Sequence, residues 1–385
     1  MSSRAVTILS LLLLAGCAGA GGSSPAPVQA PPTSSPLAAG GAGAATLTFD
    51  VPRRSSSARR APQYVSPNSA FLVVTVKTVN GQPPTAAQVP PALNPQQFAL
   101  STAPGGNCTT SPNGESCTVT IPAPTGQVTY QFDLLDASKN KLATNTLTFT
   151  IAAGSAPNLQ AVLNGIVSTV TVSAPTLTAG TSFSGPITVQ AFDASGALIV
   201  GAAPYANPFT LTDNDATGAT SLTDATTGSA VTVGSPNDVV ILNFDGEDID
   251  PFTFTTGVPA APPQTAGTVQ VVHSPVTFPG TPNDTNSSTD PNFHQPTVTF
   301  TSTPSTKQFT AAQVGWSDQG THGFTVALDP VTCGSGASAV VTVAPAAGTN
   351  NRTFNATSQH AGLCKGTVTG GPPGHPQSAT IWFSV

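Results

Sequence analysis

The chain has 385 residues, a formal net charge of −6 at pH 7 and only 7% charged residues. It contains 36 glycines and 38 prolines, and this composition excludes a mainly helical fold because both residues disfavour helix interiors. The abundant Thr, Val and Ser favour strands joined by turns, and the length predicts two to four domains.

The first 16 residues have the layout of a secretory signal. Arg4 supplies the positive charge, and the 12 residues from Ala5 to Gly16 are apolar or small. The run is too short to cross a bilayer, for which a helix needs about 20 residues. The sequence Leu14-Ala15-Gly16-Cys17 resembles the bacterial lipobox, which implies cleavage before Cys17, lipidation of its sulfur and a membrane as partner. An ordinary cleaved signal with an incidental Cys17 is the alternative.

Residues 17–45 consist almost entirely of Ala, Gly, Ser and Pro. Such a segment buries too little apolar surface to offset its ordering entropy, so we expect a disordered, lipidated tether. The segment "RRSSSARR" at 53–60 then holds four of the eleven basic residues. It fits either a solvated loop or a contact with anionic lipid.

Five cysteines divide as one plus four. If Cys17 carries lipid, Cys108 with Cys117 and Cys333 with Cys364 remain, and we expect both pairs to form disulfides in an exported chain. The chain has no C-x-x-C spacing, so a zinc site is not expected.

Three β-sandwich modules are predicted after the tether, at 46–164 (module 1), 165–269 (module 2) and 270–385 (module 3). In module 1, Leu72, Val74 and Val76 alternate with polar residues and Asn80-Gly81 follows, which is typical of a half-buried strand ending in a hairpin turn. Module 2 contains "PITVQAFDASGALIV", predicted as strand, turn and strand.

Two stretches carry a resemblance to bacterial Ig-like domains. They are "PITVQAFDASGALIV" with the following "FTLTDNDATGATSL", and the C-terminal segment from "VVTVAPAAG" to "ATIWFSV". The repetitive strand-and-turn pattern is similar to the Ig-like repeats of bacterial surface lipoproteins. The resemblance implies an all-β fold of tandem Ig-like β-sandwich modules and a setting outside the cytoplasm; it implies no catalytic residue.

No catalytic or cofactor-binding residue is predicted, because no nucleophile motif or paired-histidine metal motif occurs. The five histidines all lie in module 3 and are interpreted as solvated loop residues; they are His273, His294, His322, His360 and His375. Trp382 is either a contact aromatic or a residue packed under a loop.

Acidic residues are concentrated in the middle of the chain. Eleven Asp and Glu residues, and no Lys or Arg, lie between Lys141 and Lys307. Two clusters are candidates for calcium ligands, Asp213 with Asp215 in "DND" and Asp245, Glu247, Asp248 and Asp250 in "DGEDID". The alternative is no metal, with Asp245-Gly246 at a hairpin tip and the acids in water.

The sequence therefore predicts a non-enzymatic, lipid-anchored protein of the outer membrane or cell surface. Its modules would act as spacers, adhesion elements or binding elements for a protein or glycan. Nucleic acid is not an expected partner of an exported acidic chain. The alternative function is an exported hydrolase or carbohydrate-active accessory protein, which needs a concave polar site with convergent acids.

Overall fold

The structure is a computed structural model that describes residues 43–52, 66–111, 114–201, 203–224, 227–259, 261–285, 288–317, 322–345 and 352–385. The predicted signal peptide, Cys17, most of the tether and the arginine-rich segment 53–60 lie outside the described residues. No helix within the described ranges is both long and apolar enough to span a bilayer.

Module 1 consists of two sheets, with strand orders β4-β5-β1-β8 and β3-β2-β6-β7-β9. Leu72, Val74 and Val76 on β2 are buried, and Asn80-Gly81 adopts positive φ angles of 52° and 78°, as the alternation and the dipeptide predict. The strands are β1 (Gly43–Pro52), β2 (Phe71–Val79), β3 (Gln96–Ala99), β4 (Cys108–Ser111), β5 (Gly114–Ala123), β6 (Gly126–Leu135), β7 (Lys141–Ile151), β8 (Asn158–Gln160) and β9 (Asn164–Gly165).

The first strand begins earlier than predicted. Residues Gly43 to Ala45, expected in the tether, belong to β1 and pair with β5 opposite Ala123 to Ile121. Small side chains do not prevent strand pairing when a long partner strand supplies the hydrogen bonds.

Module 2 contains two four-stranded sheets, β12-β18-β15-β16 and β17-β14-β19-β20, and two strand pairs, β10–β13 and β11–β21. Strand β21 lies just past the predicted end of module 2 at residue 269, and because it pairs with β11 it is counted with module 2 from here on. The predicted turn after Phe192 is present, since the Gly196 amide donates to the Asp193 carbonyl. The strands are β10 (Thr169–Ser173), β11 (Leu177–Thr178), β12 (Phe183–Pro186), β13 (Thr188–Phe192), β14 (Phe209–Asp213), β15 (Thr220–Thr223), β16 (Thr227–Gly228), β17 (Ala230–Val233), β18 (Ile241–Phe244), β19 (Phe252–Gly257), β20 (Gln264–Val269) and β21 (Val271–Val272).

Module 3 has sheets β22-β28-β27-β24 and β23-β26-β25. A four-residue helix α1 (Pro330–Cys333) follows Asp329, whose side chain caps it by accepting from the Val331 amide. The described residues contain two 3-10 turns, at Pro91–Leu93 and Gly336–Ser338. The strands are β22 (Thr297–Thr299), β23 (Ser305–Thr310), β24 (Thr325–Leu328), β25 (Val341–Ala344), β26 (Thr353–Ser358), β27 (Leu363–Gly370) and β28 (Gln377–Ser384).

Every sheet stays within one of the stretches 43–165, 169–272 and 297–384. The all-β fold class is thereby confirmed, with separate sheets in each stretch, while the Ig-like topology and the module boundaries stay predictions. The buried apolar side chains form two clusters. One runs continuously from Ala45 to Val271, and the other runs from Val276 to Phe383. Modules 1 and 2 thus share one core, and module 3 has its own.

Candidate functional site

A cleft of about 430 Å³ lies where module 2 meets module 3, and we call it the junction cleft. It brings together residues of both predicted calcium clusters with aromatic, histidine and proline side chains. The lining consists of Asn214, Asp215, Ala216, Thr217, Glu247, Asp248, Asp250, Pro251, Phe252, Trp316, His322, Pro372 and Pro373.

The acidic loop, residues 245–250, forms one wall of this cleft. It connects β18 to β19, and these strands belong to different sheets, so the prediction of a hairpin with Asp245-Gly246 at its tip is wrong. Gly246 has φ +101°, a conformation that favours glycine, and its carbonyl accepts from the Gly180 amide at 2.7 Å. The loop therefore crosses from one sheet to the other and turns its acids toward module 3.

Asp248 is the buried centre of the junction, with none of its surface exposed. Its Oδ1 accepts from His273 Nδ1 at 2.6 Å, and its Oδ2 accepts from Gln313 Nε2 at 2.7 Å. Its backbone amide donates to the Gly315 carbonyl at 2.9 Å. A buried carboxylate is costly unless it is paired, and these contacts supply the pairing.

Glu247 pairs with His322. The Glu247 Oε1 accepts from His322 Nε2, and the imidazole stacks on the Trp316 indole with ring centroids 3.9 Å apart. Trp316 is itself held by a hydrogen bond from Nε1 to the Gly323 carbonyl at 3.1 Å. The histidine thus lies between an acid of module 2 and an aromatic ring of module 3.

Asp250 pairs with the loop between β27 and β28. Its Oδ1 accepts from His375 Nδ1 at 2.9 Å and its Oδ2 accepts from the Gly374 amide at 3.0 Å. The His375 and His273 rings stack with centroids 5.0 Å apart. Each acid of the loop beyond Asp245 therefore takes one histidine.

The interpretation as a solvated loop residue is wrong for His273, whose side chain is only 13% exposed. His322 is half-buried and pairs with an acid. His375 is an exposed loop residue, as predicted, although it too pairs with an acid. His360 is exposed and contacts the Ala337 carbonyl through Nε2, and His294 is exposed.

Asp213 and Asp215 use their carboxylates within their own loop. Asp213 accepts from the Asp215 amide at 2.9 Å and from Thr220 Oγ1 at 2.6 Å, while Asp215 accepts from Thr217 and Thr220. Burial raises the pKa of Asp213, and the hydrogen bond from Thr220 offsets part of that rise. Asp213 does not line the junction cleft, whereas Asp215 does.

The described residues contain one group of three ligand atoms close enough together to hold a metal ion, formed by Cys108, Glu115 and Cys117. The two sulfurs of that group are bonded to each other. None of the six calcium candidates belongs to such a group. Each of the six carboxylates accepts a hydrogen bond from a protein donor.

The two predicted disulfides are present, Cys108–Cys117 and Cys333–Cys364, with Cα–Cα distances of 4.0 and 4.3 Å. Cys108 and Cys117 lie directly opposite each other on β4 and β5. Trp382 is only 7% exposed and its amide donates to the Pro296 carbonyl, so the interpretation of a packed residue is the one that holds.

The histidine–acid pairing was missed by sequence reasoning, although one signal for it exists. Acids without Lys or Arg fill the middle of the chain, and all five histidines follow the acidic loop that ends at Asp250. Buried carboxylates there have few cations available other than these histidines.

No protein-family model matches the chain, and no curated protein matches it. Among solved structures, domains 5–6 of the S-layer protein SbsC are 12% identical over 57% of this chain and 98% of theirs, with a TM-score of 0.19. Extracellular domains 3–5 of Drosophila OTK are 10% identical over 83% of this chain and 87% of theirs, with a TM-score of 0.24. An I-band fragment of titin is 7% identical over 82% and 87%, with a TM-score of 0.23. At these TM-scores no conclusion about function follows.

Proposed function

We propose that the chain is a non-enzymatic lipoprotein of the bacterial cell envelope, attached through Cys17, whose modules act as spacer, adhesion or binding elements. The observation that carries the proposal is the pair of disulfides, which uses four of the five cysteines. Disulfides persist in oxidising compartments, so they support export beyond the cytoplasm. The remaining cysteine, Cys17, stands in the lipobox-like sequence, which supports an outer-membrane or surface location.

The junction supports a mechanical role for modules 2 and 3. The acidic loop of module 2 contacts three separate segments of the chain, through His273, His322 and His375. Such a joint restrains the second module against the third, as a spacer or an adhesion element requires. The ligand of a binding role would be a protein or a glycan at the cell surface.

Lipid labelling tests the proposal. Cells expressing the full chain are grown with radiolabelled palmitate and compared with cells expressing the Cys17→Ser variant. We expect label and membrane association in the natural chain, and neither in the variant. Both purified forms should keep the two disulfides, which controls for misfolding. A natural chain that takes up no label and stays in the soluble fraction would overturn the proposal.

A second candidate, an exported hydrolase or carbohydrate-active protein, is favoured by the junction cleft itself. The cleft is concave and holds Asp215, Glu247, Asp248 and Asp250 beside Trp316. Incubation with a panel of glycans, followed by detection of new reducing ends, tests it. An activity lost in Glu247→Gln and retained in Asp224→Asn, a matched acid outside the cleft lining, would favour this candidate.

A further inference from the structure

The junction cleft has the size of a ligand site. Its volume of about 430 Å³ falls within the roughly 300 to 1,000 Å³ that small-molecule sites occupy. A second cavity, between β22 and β23, has about 180 Å³. The junction cleft is therefore large enough to enclose a small ligand or a short segment of a polymer.

One part of the cleft lining is apolar and aromatic. Trp316 is held in place there, because its Nε1 donates to the Gly323 carbonyl at 3.1 Å and its ring stacks on His322. A sugar ring has C–H faces that pack on rigid surfaces of this kind and a hydroxylated edge that needs hydrogen bonds. The apolar part consists of Pro251, Phe252, Trp316, Pro372 and Pro373.

The other part of the lining offers hydrogen-bond donors and acceptors. Asn214 and Thr217 are exposed, and Asn214 keeps a second N–H and a lone pair beyond its contacts with two threonines of β19. Within the described contacts, Glu247 uses only Oε1, for His322 Nε2, so its Oε2 can accept from a ligand. Hydroxyl groups both donate and accept, so this mixed lining matches them.

The charges of the lining select against acidic ligands. The described lining holds four carboxylates and no Lys or Arg, so a uronate, sulfate or phosphate group would be repelled. A basic peptide would be attracted, but both oxygens of Asp215, Asp248 and Asp250 already accept from protein donors. A buried ammonium or guanidinium group needs several unoccupied carboxylate oxygens, whereas a hydroxyl group needs one lone pair.

We propose that the junction cleft binds a neutral glycan, whose sugars present free hydroxyl groups and carry no acidic substituent. The inference rests on the proposed function, since it names the ligand class and the site of the binding role. The lining comes from residues 214–217 and 247–252 of module 2 and from Trp316, His322 and Pro372-Pro373 of module 3. The complete site exists only while the two modules are in contact, so a bound glycan favours the closed joint.

Affinity for oligosaccharides of known composition tests the proposal. The purified full chain is titrated by calorimetry with neutral glucan, mannan, galactan and xylan oligosaccharides, and with acidic oligosaccharides of polygalacturonate and alginate. We expect saturable binding of at least one neutral series, and binding at least about tenfold weaker for the acidic ones. Equal affinity for acidic sugars, no binding of any neutral series, or preferred binding of an oligo-lysine peptide would overturn it.

Substitutions in the lining test the site. Asn214→Ala should weaken binding by about two- to tenfold, the effect of one lost hydrogen bond. The matched control is Asn237→Ala, an exposed asparagine outside the lining, which should bind as the natural chain does. Trp316→Ala should weaken binding by about tenfold or more, whereas Trp316→Phe keeps an aromatic ring and most of the affinity. If Trp316→Ala does not fold, the two asparagine variants decide the question, and equal affinities would count against the cleft.

Amide exchange tests whether the ligand holds the joint closed. The amide of Asp248 donates to the Gly315 carbonyl across the joint, so peptides covering 246–250 report its opening. With the bound oligosaccharide at ten times its Kd, the opening equilibrium should fall by about tenfold. Unchanged exchange at saturation would show that the glycan binds elsewhere. A failure of lipid labelling would leave these results untouched, because they use the purified chain, so the two failures are distinguishable.

Discussion

At the scale of single residues, Asp213 is a carboxyl group whose position disfavours its charge. Burial raises its pKa, and the hydrogen bonds from Thr220 and the Asp215 amide only partly offset this. A raised pKa in the folded chain means that the folded state binds the proton more tightly than the unfolded state. The free energy of unfolding should therefore decrease as the pH rises through the carboxyl range.

The Asp213→Asn variant should remove that dependence. Asn can accept from the Asp215 amide and donate to Thr220 Oγ1, so both contacts survive without a charge. We expect a flatter dependence of the unfolding free energy on pH between pH 4 and pH 7, measured by urea denaturation. If the unfolding free energy of the variant depends on pH as strongly as that of the natural chain, the pKa of Asp213 is not raised by burial.

Asp238 provides the opposite case. Burial acts to raise its pKa, but hydrogen bonds from the Ser235 hydroxyl and from the Gly234 and Ser235 amides outweigh burial and lower it. Its contribution to stability is therefore present above the unfolded pKa and lost as the pH falls. We expect Asp238→Asn to lower the unfolding free energy at pH 7, measured by the same urea denaturation. The difference in unfolding free energy between the variant and the natural chain should be smaller at pH 3.

Calcium should leave the chain unaffected if its acids are occupied as described. The Asp248 carboxylate accepts from His273 and Gln313, and that of Asp213 accepts from its own loop. Calcium binds through carboxylate oxygens. Because these oxygens already accept hydrogen bonds from the protein, binding an ion would require those hydrogen bonds to break. We expect no saturable heat by titration calorimetry and no rise in melting temperature at millimolar calcium. A saturable heat or a higher melting temperature would favour the metal interpretation.

At the scale of elements, the contact between modules 2 and 3 depends on glycines. A Cβ at Gly315 would lie 2.6 Å from both the Gly180 amide nitrogen and the Gly246 carbonyl oxygen. These are backbone atoms of module 2, so the joint cannot close around the added carbon without moving. Gly315 also has φ +79°, which costs any other residue some strain.

The variant Gly315→Ala should therefore destabilise the joint more than its backbone angle alone explains. The matched control is Gly280→Ala, at φ +77° with nothing within 4 Å of the added Cβ. Backbone strain is common to both, at about 1 kcal/mol, so the difference between the two melting temperatures measures the clash. Equal melting temperatures would show that the modules do not pack as described.

The sequence predicted those strands and turns that depend only on residues close to one another in the chain. The alternation at Leu72, Val74 and Val76 and the turn at Asn80-Gly81 follow from side-chain period and backbone preference. The acidic loop was mistaken for a hairpin because the same Asp-Gly signal fits any tight turn. Whether β18 and β19 share a sheet depends on their partners elsewhere in the chain.

The partners of the acids are remote in sequence, and this is why the junction was not predicted. Asp248 and His273 are 25 residues apart, Glu247 and His322 are 75 apart, and Asp250 and His375 are 125 apart. No residue period connects such positions. Only the excess of acids over Lys and Arg in the middle of the chain pointed to a need for histidine.

At the scale of the whole molecule, the two apolar clusters divide the chain unequally. The first is continuous from Ala45 to Val271, across modules 1 and 2, whereas the second begins at Val276 and belongs to module 3. Residues that share a buried core tend to unfold together. We therefore expect two thermal transitions by calorimetry, the larger from modules 1 and 2.

The disulfides allow each transition to be assigned. Cys333 and Cys364 are 31 residues apart and lie in the second cluster. The double variant Cys333→Ser with Cys364→Ser should decrease the unfolding free energy of that cluster by about 3 to 4 kcal/mol, and so lower the melting temperature of the smaller transition only. Cys108 and Cys117 are 9 residues apart and lie in the first cluster. Their double Ser variant should decrease the unfolding free energy of the first cluster by about 2 to 3 kcal/mol, and so lower the melting temperature of the larger transition only. The longer ring has the larger effect because its closure removes more entropy from the unfolded chain. A single transition that both variants shift would show instead that the joint at Asp248 couples all three modules into one cooperative unit.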